Sequence, residues 1–229
     1  MNKENLKESI ESNYDIKVLA IEKVKNSYRL ETENTNYAIK IIKYDFPHFY
    51  FILSAIEHLQ KREFHKIPQI LNNKDGTKYI KLENSYAYLT EWIPSRVSNY
   101  DNPIELSKVA EKLGELHTRS TGFNINNNMR PRIGWYSWIN VFNTRCNEIL
   151  DFKNRINQKA YKSKFDCIYL NNIEAEIERG KKAIDNLKKH KYIEIMDKEV
   201  MKMGFCHHDY AHHNILVDDK NELSIIDFD

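Results

Sequence analysis

The spacing of apolar residues changes character at Ile93-Pro94, and that change sets the architecture. Before it, apolar and polar residues alternate in short runs, the period of half-buried strands. After it, apolar residues recur at every third or fourth position, the period of amphipathic helices. Such a chain predicts an α+β fold with an antiparallel-sheet lobe over residues 1–93 and a mainly helical lobe over 94–229. In the first part, Leu6, Ile10 and Tyr14 predict a short helix. Strand-like runs follow from Ile16 to Val24, Ser27 to Thr32 and Tyr37 to Lys43. The polar tetrad Glu33-Asn34-Thr35-Asn36 joins the last two into a hairpin. Asp45-Phe46-Pro47 predicts a helix start, because proline is tolerated in a first turn, and Phe49, Ile52, Leu53, Ile56 and Leu59 form that helix's apolar stripe. A second strand pair is predicted from Tyr79 to Leu82 and from Tyr86 to Trp92. Beyond the boundary, helices are predicted from Pro103, over about Trp138 to Asn157, and over about Phe165 to His190. A late strand pair, Ile215 to Val217 and Leu223 to Ile226, closes the pattern.

Composition removes several function classes. Of 229 residues, 41% are hydrophobic and 30% charged, a globular mixture rather than a disordered one. The 35 basic and 33 acidic residues leave a net charge of +2, which argues against a general nucleic-acid or membrane-surface binder. No apolar run approaches the roughly 18 residues of a membrane helix. No secretory signal is visible at the start. The three cysteines, Cys146, Cys167 and Cys206, form no CxxC pair, so neither a disulfide scaffold nor a cysteine zinc site is indicated and synthesis in a reducing cytoplasm is expected.

The residues that carry chemistry cluster near the carboxy end. Asp209 precedes Asn214 by five positions, Asp227 follows Asn214 by thirteen, and His207 lies two before Asp209. This is the H-x-D-x-x-x-x-N pattern of kinase catalytic loops, with a D-F-x metal-binding element at the expected distance. Phosphoryl transfer asks the protein for positioning and charge neutralisation more than for covalent help. A carboxylate that accepts the incoming hydroxyl proton suits Asp209. Hard oxygen ligands for Mg²⁺ suit Asn214 and Asp227. An independent match lies in the first part, where Tyr37-Ala38-Ile39-Lys40 fits the V-A-I-K strand pattern and assigns Lys40 to the α- and β-phosphates of ATP. The partner glutamate expected on the following helix is Glu57, with Glu63 second. Glu91, Trp92 and Ile93, at the boundary, are expected to meet adenine as a hinge.

His208-Asp209-Tyr210-Ala211-His212 also mimics an H-[DE]-x-x-H metal site. That site needs both histidines on one face of a helix, and the run is short and bounded by strands. His207 is expected to brace the loop rather than to do acid–base work.

Tyr37 to Lys40 and Cys206 to Asn214, taken with Leu89 to Pro94, Leu113 to His117, Phe165 to Asn172 and Ile225 to Asp229, resemble the aminoglycoside phosphotransferase and choline kinase branch of the kinase fold. More narrowly, the chain is similar to the CotS-like spore coat proteins. The resemblance spans nearly the whole chain. It implies a two-lobed protein-kinase-like fold, ATP and Mg²⁺ as cofactors, and a small-molecule hydroxyl acceptor. It also implies a role in the Firmicute spore coat after synthesis in the mother-cell cytoplasm, with other coat proteins as partners and neither nucleic acid nor membrane.

Two departures accompany it. Glycine-loop kinases cover the phosphates with backbone N–H groups. This chain has 6 glycines against roughly 16 at average usage, and none precedes Gly76. The turn at that place reads Val24-Lys25-Asn26-Ser27-Tyr28, where Asn26 and Ser27 can supply donors. The chain also stops at Asp229, so the large lobe is expected to be truncated. Two readings therefore stand: transfer of the ATP γ-phosphoryl group to a small-molecule hydroxyl, or a non-catalytic structural coat protein that retains the fold.

Overall fold

A computed structural model describes residues 2–228 of the chain. Two compact units are present, one formed by Met1–Pro131 with Met203–Asp229 and the other by Arg132–Lys202. The grouping differs from the division at Ile93-Pro94 read from hydrophobic period. The reason is a shared core: helix, loop and late-hairpin residues on both sides of that boundary pack into one apolar cluster.

The first unit opens with α1 (Lys3–Asn13), followed by β1 (Ala20–Val24), β2 (Ser27–Glu31), β3 (Asn36–Ile42), α2 (Phe46–Lys61), β4 (Ile80–Leu82) and β5 (Ser85–Glu91). The five strands form one antiparallel sheet in the order β1-β2-β3-β5-β4. Strand alternation assigns its faces. Leu30, Ile39, Ala87 and Leu89 lie under α1 with Leu6, Ile10 and Tyr14. Ile42 and Tyr88 point to the opposite face, where they meet Phe49, Ile52, Leu53, Ile56 and Leu59 of α2. Lys40 shares that second face, one side-chain repeat from Ile42. β1 is shorter than the run from Ile16 suggests: α1 ends at Asn13, and the Val18 N–H donates to Glu11 Oε1 at 2.8 Å instead of to a strand.

Beyond β5 the same unit contains β6 (Arg96–Val97) and α3 (Pro103–Arg119) and, later, β7 (Ile215–Val217) and β8 (Leu223–Ile225). These three strands form a small antiparallel sheet in the order β6-β7-β8. Asn102 caps α3 by accepting from the Ile104 and Glu105 N–H groups, with Pro103 in the first turn. Val109 and Leu116 of α3, Ile215 and Val217 of β7, and Leu223 and Ile225 of β8 are buried with the stripe of α2. Burial of this kind contributes about 1.5–3 kcal/mol per large aliphatic side chain. It packs β8 against the sheet-bearing part. Arg96 donates two bonds to the buried Glu105 carboxylate, at 3.1 and 2.9 Å, which ties β6 to the start of α3.

The second unit holds α4 (Trp138–Asn157), α5 (Lys164–Lys189) and α6 (Tyr192–Lys202). Ser163 and Asp166 form a capping box at the start of α5. Gly180 sits where α5 meets α4, and a Cβ there would collide with Cys146 Sγ. No described helix is long and apolar enough to cross a membrane.

Candidate active site

Side chains around the late sheet fix one loop. His207 donates through Nε2 to the Ile226 carbonyl at 2.8 Å, and its ring packs against Phe228 with centroids 4.5 Å apart. Tyr210 buries its hydroxyl and donates to the Val109 carbonyl of α3 at 2.9 Å; desolvation pushes its pKa well above the ordinary phenol value. Tyr100 donates to the Tyr210 carbonyl, and Ser98 to the His212 carbonyl. The loop closes in a short 3₁₀ turn, His212–Asn214, that feeds directly into β7. Residues 208–211 are not helical, so His208 and His212 have no common helix face and the zincin-like pattern lacks its geometry.

Within this frame Asn214 is buried, and its Nδ2 donates to the Asp209 carbonyl at 3.0 Å and to Asp209 Oδ2 at 3.1 Å. Its backbone N–H donates to the Ala211 carbonyl, and its carbonyl accepts from Ile226 N–H, which locks the loop to the segment after β8. With Nδ2 committed to Asp209, the amide oxygen is the Asn214 atom suited to a cation. Asp209 itself is largely exposed. Asp227 lies two residues past β8 with a left-handed backbone (φ 70°), and His208 shares that region (φ 74°). Each such residue costs about 1–3 kcal/mol and persists where the surroundings over-determine it, which here they do.

Asp227 forms an ion pair with Lys40, which is buried on β3. Lys40, Asp209, Asn214 and Asp227 all line one cavity of about 360 Å³. The β1–β2 turn, Val24 to Ser27, lines the same cavity, as do Thr90, Glu91, Trp92 and Ile93 at the end of β5. Four side chains expected from sequence, Lys40 for phosphate, Asn214 and Asp227 for metal and Asp209 as the base, therefore line one space, and the expected hinge residues border it. Trp92 commits its N–H to the Asn36 carbonyl at 2.9 Å, extending the β3–β5 ladder, and Arg29 lies over its ring at 5.5 Å. The Trp92 N–H is thus engaged within the sheet, while Glu91, Trp92 and Ile93 border the cavity.

Glu57 is the residue that the structure does not bring in. Its carboxylate pairs with Lys78 at 3.6 Å and with Lys61 at 4.0 Å, away from Lys40. The cause is helical phase. Adjacent residues point about 100° apart, and α2 turns Ile56, not Glu57, toward the cavity. Glu63 does not fill the role either, since it follows the end of α2. Among the described residues, a carboxylate that pairs with Lys40 is that of Asp227. Ile56, Lys25 and His213 also line the cavity and were not singled out as site residues from sequence. For Lys25 and Ile56 the readable signal was position: one sits in the turn that replaces the glycine loop, the other one residue before the expected glutamate.

The donor set suits a hard divalent cation, with one carboxylate and one amide oxygen flanking the cavity and room for water ligands. An exposed carboxylate, Asp209, and a buried ammonium, Lys40, complete the polar lining.

A family model described as "Spore coat putative kinase YutH" matches residues 7–223. Among solved structures, the chain is similar to an aminoglycoside phosphotransferase from Alicyclobacillus acidocaldarius, with 18% identity, a TM-score of 0.84, and coverage of 96% of this chain and 65% of that one. A spectinomycin phosphotransferase, APH(9)-Ia, solved with ADP and spectinomycin, matches at 20% identity and a TM-score of 0.67, over 99% of this chain and 68% of its own. Choline kinase LicA from Streptococcus pneumoniae matches at 15% identity and a TM-score of 0.50, over 99% and 68%. The chain spans about two thirds of the length of these structures. The fold is that of the aminoglycoside phosphotransferase and kinase-like proteins.

Proposed function

The chain belongs to the family described as "Spore coat putative kinase YutH", and from that premise we propose that it is an ATP-dependent phosphotransferase that moves the γ-phosphoryl group to a hydroxyl of a small molecule. The observation that carries this reading is the convergence of Lys40, Asp209, Asn214 and Asp227 on one cavity. Lys40 holds the α- and β-phosphates, and the end of β5 receives the base. Asn214 and Asp227 hold Mg²⁺, which when bound neutralises charge on the phosphate oxygens. Asp209 accepts the proton of the attacking hydroxyl, while Asn214 Nδ2 keeps its carboxylate aimed. Asp227 pairs with Lys40, so a phosphate that engages the lysine would leave the carboxylate to the cation. The family assignment supports a place in the spore coat.

A second reading, a non-catalytic coat protein that keeps the fold for assembly, is favoured by one observation: Ile56 faces the cavity where a carboxylate partner for Lys40 is expected. Thermal unfolding with ATP and Mg²⁺ separates the two. Stabilisation of the parent that Asp227→Ala abolishes supports nucleotide use, and no stabilisation favours the structural role. Phosphoryl transfer across a panel of small-molecule alcohols then tests catalysis. Asp209→Asn should keep nucleotide binding and lose roughly 100- to 10,000-fold in rate.

A further inference from the structure

Lys25 stands at the tip of the hairpin that covers the cavity, in a conformation a lysine does not choose. Val24 and Ser27 pair directly, so the β1–β2 connection is the two-residue loop Lys25-Asn26. Lys25 has φ 51°, in the left-handed region where glycine, asparagine or aspartate is the usual occupant. Asparagine is the very next residue, yet lysine holds the strained position. Strain of this kind at a cavity edge points to a use for the side chain.

The register shows what the side chain stands above. Ser27, which ends the loop, is the cross-strand partner of Lys40, so the two share a sheet face and the hairpin tip lies just beyond them. Lys25, Asn26 and Ser27 all line the cavity that holds Asp209, Asn214 and Asp227. Charge gives the second argument. Among the described lining residues the lysines are Lys25 and Lys40, against the carboxylates Glu91, Asp209 and Asp227. Lys40 is already paired with Asp227, whereas Lys25 makes no ion pair among the described residues. A polyanionic ligand entering this cavity meets more carboxylates than lysines, and Lys25 is the cation able to turn toward it without giving up a partner.

We propose that Lys25 is a phosphate-binding residue that replaces the backbone N–H groups of a glycine-rich loop with a side-chain ammonium, its ligand being the polyphosphate of a nucleoside triphosphate. The inference rests on the nucleotide reading of the same site. A short, glycine-free turn cannot wrap its backbone around phosphates, but a lysine on a flexible four-carbon stem reaches them from the same place.

The test is calorimetric titration of MgATP and of adenosine into the parent, Lys25→Ala, Lys25→Gly and Lys40→Ala, with thermal unfolding of each free protein. Lys25→Ala and Lys25→Gly should each weaken ATP roughly tenfold, as loss of a charge-assisted phosphate contact does, and leave adenosine within about twofold. Lys25→Gly should at the same time melt higher than Lys25→Ala, because glycine accepts the left-handed backbone. A merely structural lysine would not produce a variant that folds better and binds triphosphate worse. If both Lys25 variants bind ATP as the parent does while Lys40→Ala does not, this inference falls and the nucleotide site stands. If the parent itself takes up no ATP, both fall.

Discussion

Replacing Asn214 with alanine tests whether the loop is built as described. Its Nδ2 makes two hydrogen bonds to Asp209, one to the carbonyl at 3.0 Å and one to Oδ2 at 3.1 Å. The first is neutral and lies beside a buried residue, and its loss costs about 1 kcal/mol. The second goes to a carboxylate, but Asp209 is largely solvated, so about 1 kcal/mol is again appropriate rather than the value for a buried charge. The sum is about 2 kcal/mol, which lowers the melting temperature of a chain this size by about 4–8 °C. Urea unfolding of the parent and Asn214→Ala measures it. Asn214→Asp is the companion variant: it cannot donate to Asp209 and adds a like charge beside it, so the free protein should be destabilised at least as much. Mg²⁺ with ATP should restore part of that loss in Asn214→Asp and none in Asn214→Ala, because only a carboxylate can replace the amide oxygen as a ligand. A loss below about 0.5 kcal/mol in Asn214→Ala would mean the Asp209 bonds are not formed in solution.

Other outcomes follow from the same geometry. Glu57→Gln should leave ATP affinity within about twofold, since Glu57 pairs with Lys78 and Lys61 rather than with Lys40; a loss of tenfold or more would restore the helix-glutamate assignment. Glu105 is held below the ordinary carboxylate pKa, chiefly by its hydrogen bonds from Arg96. Its contribution to stability is therefore complete above the unfolded value of 4.5 and is lost as pH falls through the lower folded value. The stability gap between the parent and Glu105→Gln should narrow on acidification, and a gap that widens would refute the pairing. Gly180→Ala gains roughly 1 kcal/mol of helix propensity but forces a Cβ onto Cys146 at about 1–3 kcal/mol, so thermal unfolding should show a net loss of up to about 2 kcal/mol, and a stabilised variant would refute the close packing.

The parts legible from sequence were those carried by local spacing. Strand alternation located β2, β3 and β5, and the five- and thirteen-residue intervals located Asp209, Asn214 and Asp227, because a turn, a short strand and a hairpin leave little freedom between them. Glu57 illustrates the limit. A helical stripe tells which face is apolar but not which residue beside that stripe looks into a cavity built from other elements. One residue of phase exchanged a glutamate for Ile56. β6 was overlooked because two residues, Arg96–Val97, carry no periodic signal and become a strand only by pairing with β7. α6 was overlooked because Tyr192 follows the end of α5 closely, with only a left-handed Lys191 (φ 56°) to break the chain between them. The extent of the first compact unit was hidden for a related reason: the apolar residues of α3, β7 and β8 read as helix and strand faces, but nothing in their own spacing says that they close onto α2.

The central claim, that a buried lysine and three oxygen-bearing side chains together receive a nucleotide's phosphates and its cation, is tested most directly by titrating ATP into the parent and into Lys40→Ala, with and without Mg²⁺. The account predicts saturable binding by the parent that Mg²⁺ strengthens, and its loss in Lys40→Ala in either condition. Binding in Lys40→Ala equal to that of the parent would contradict it.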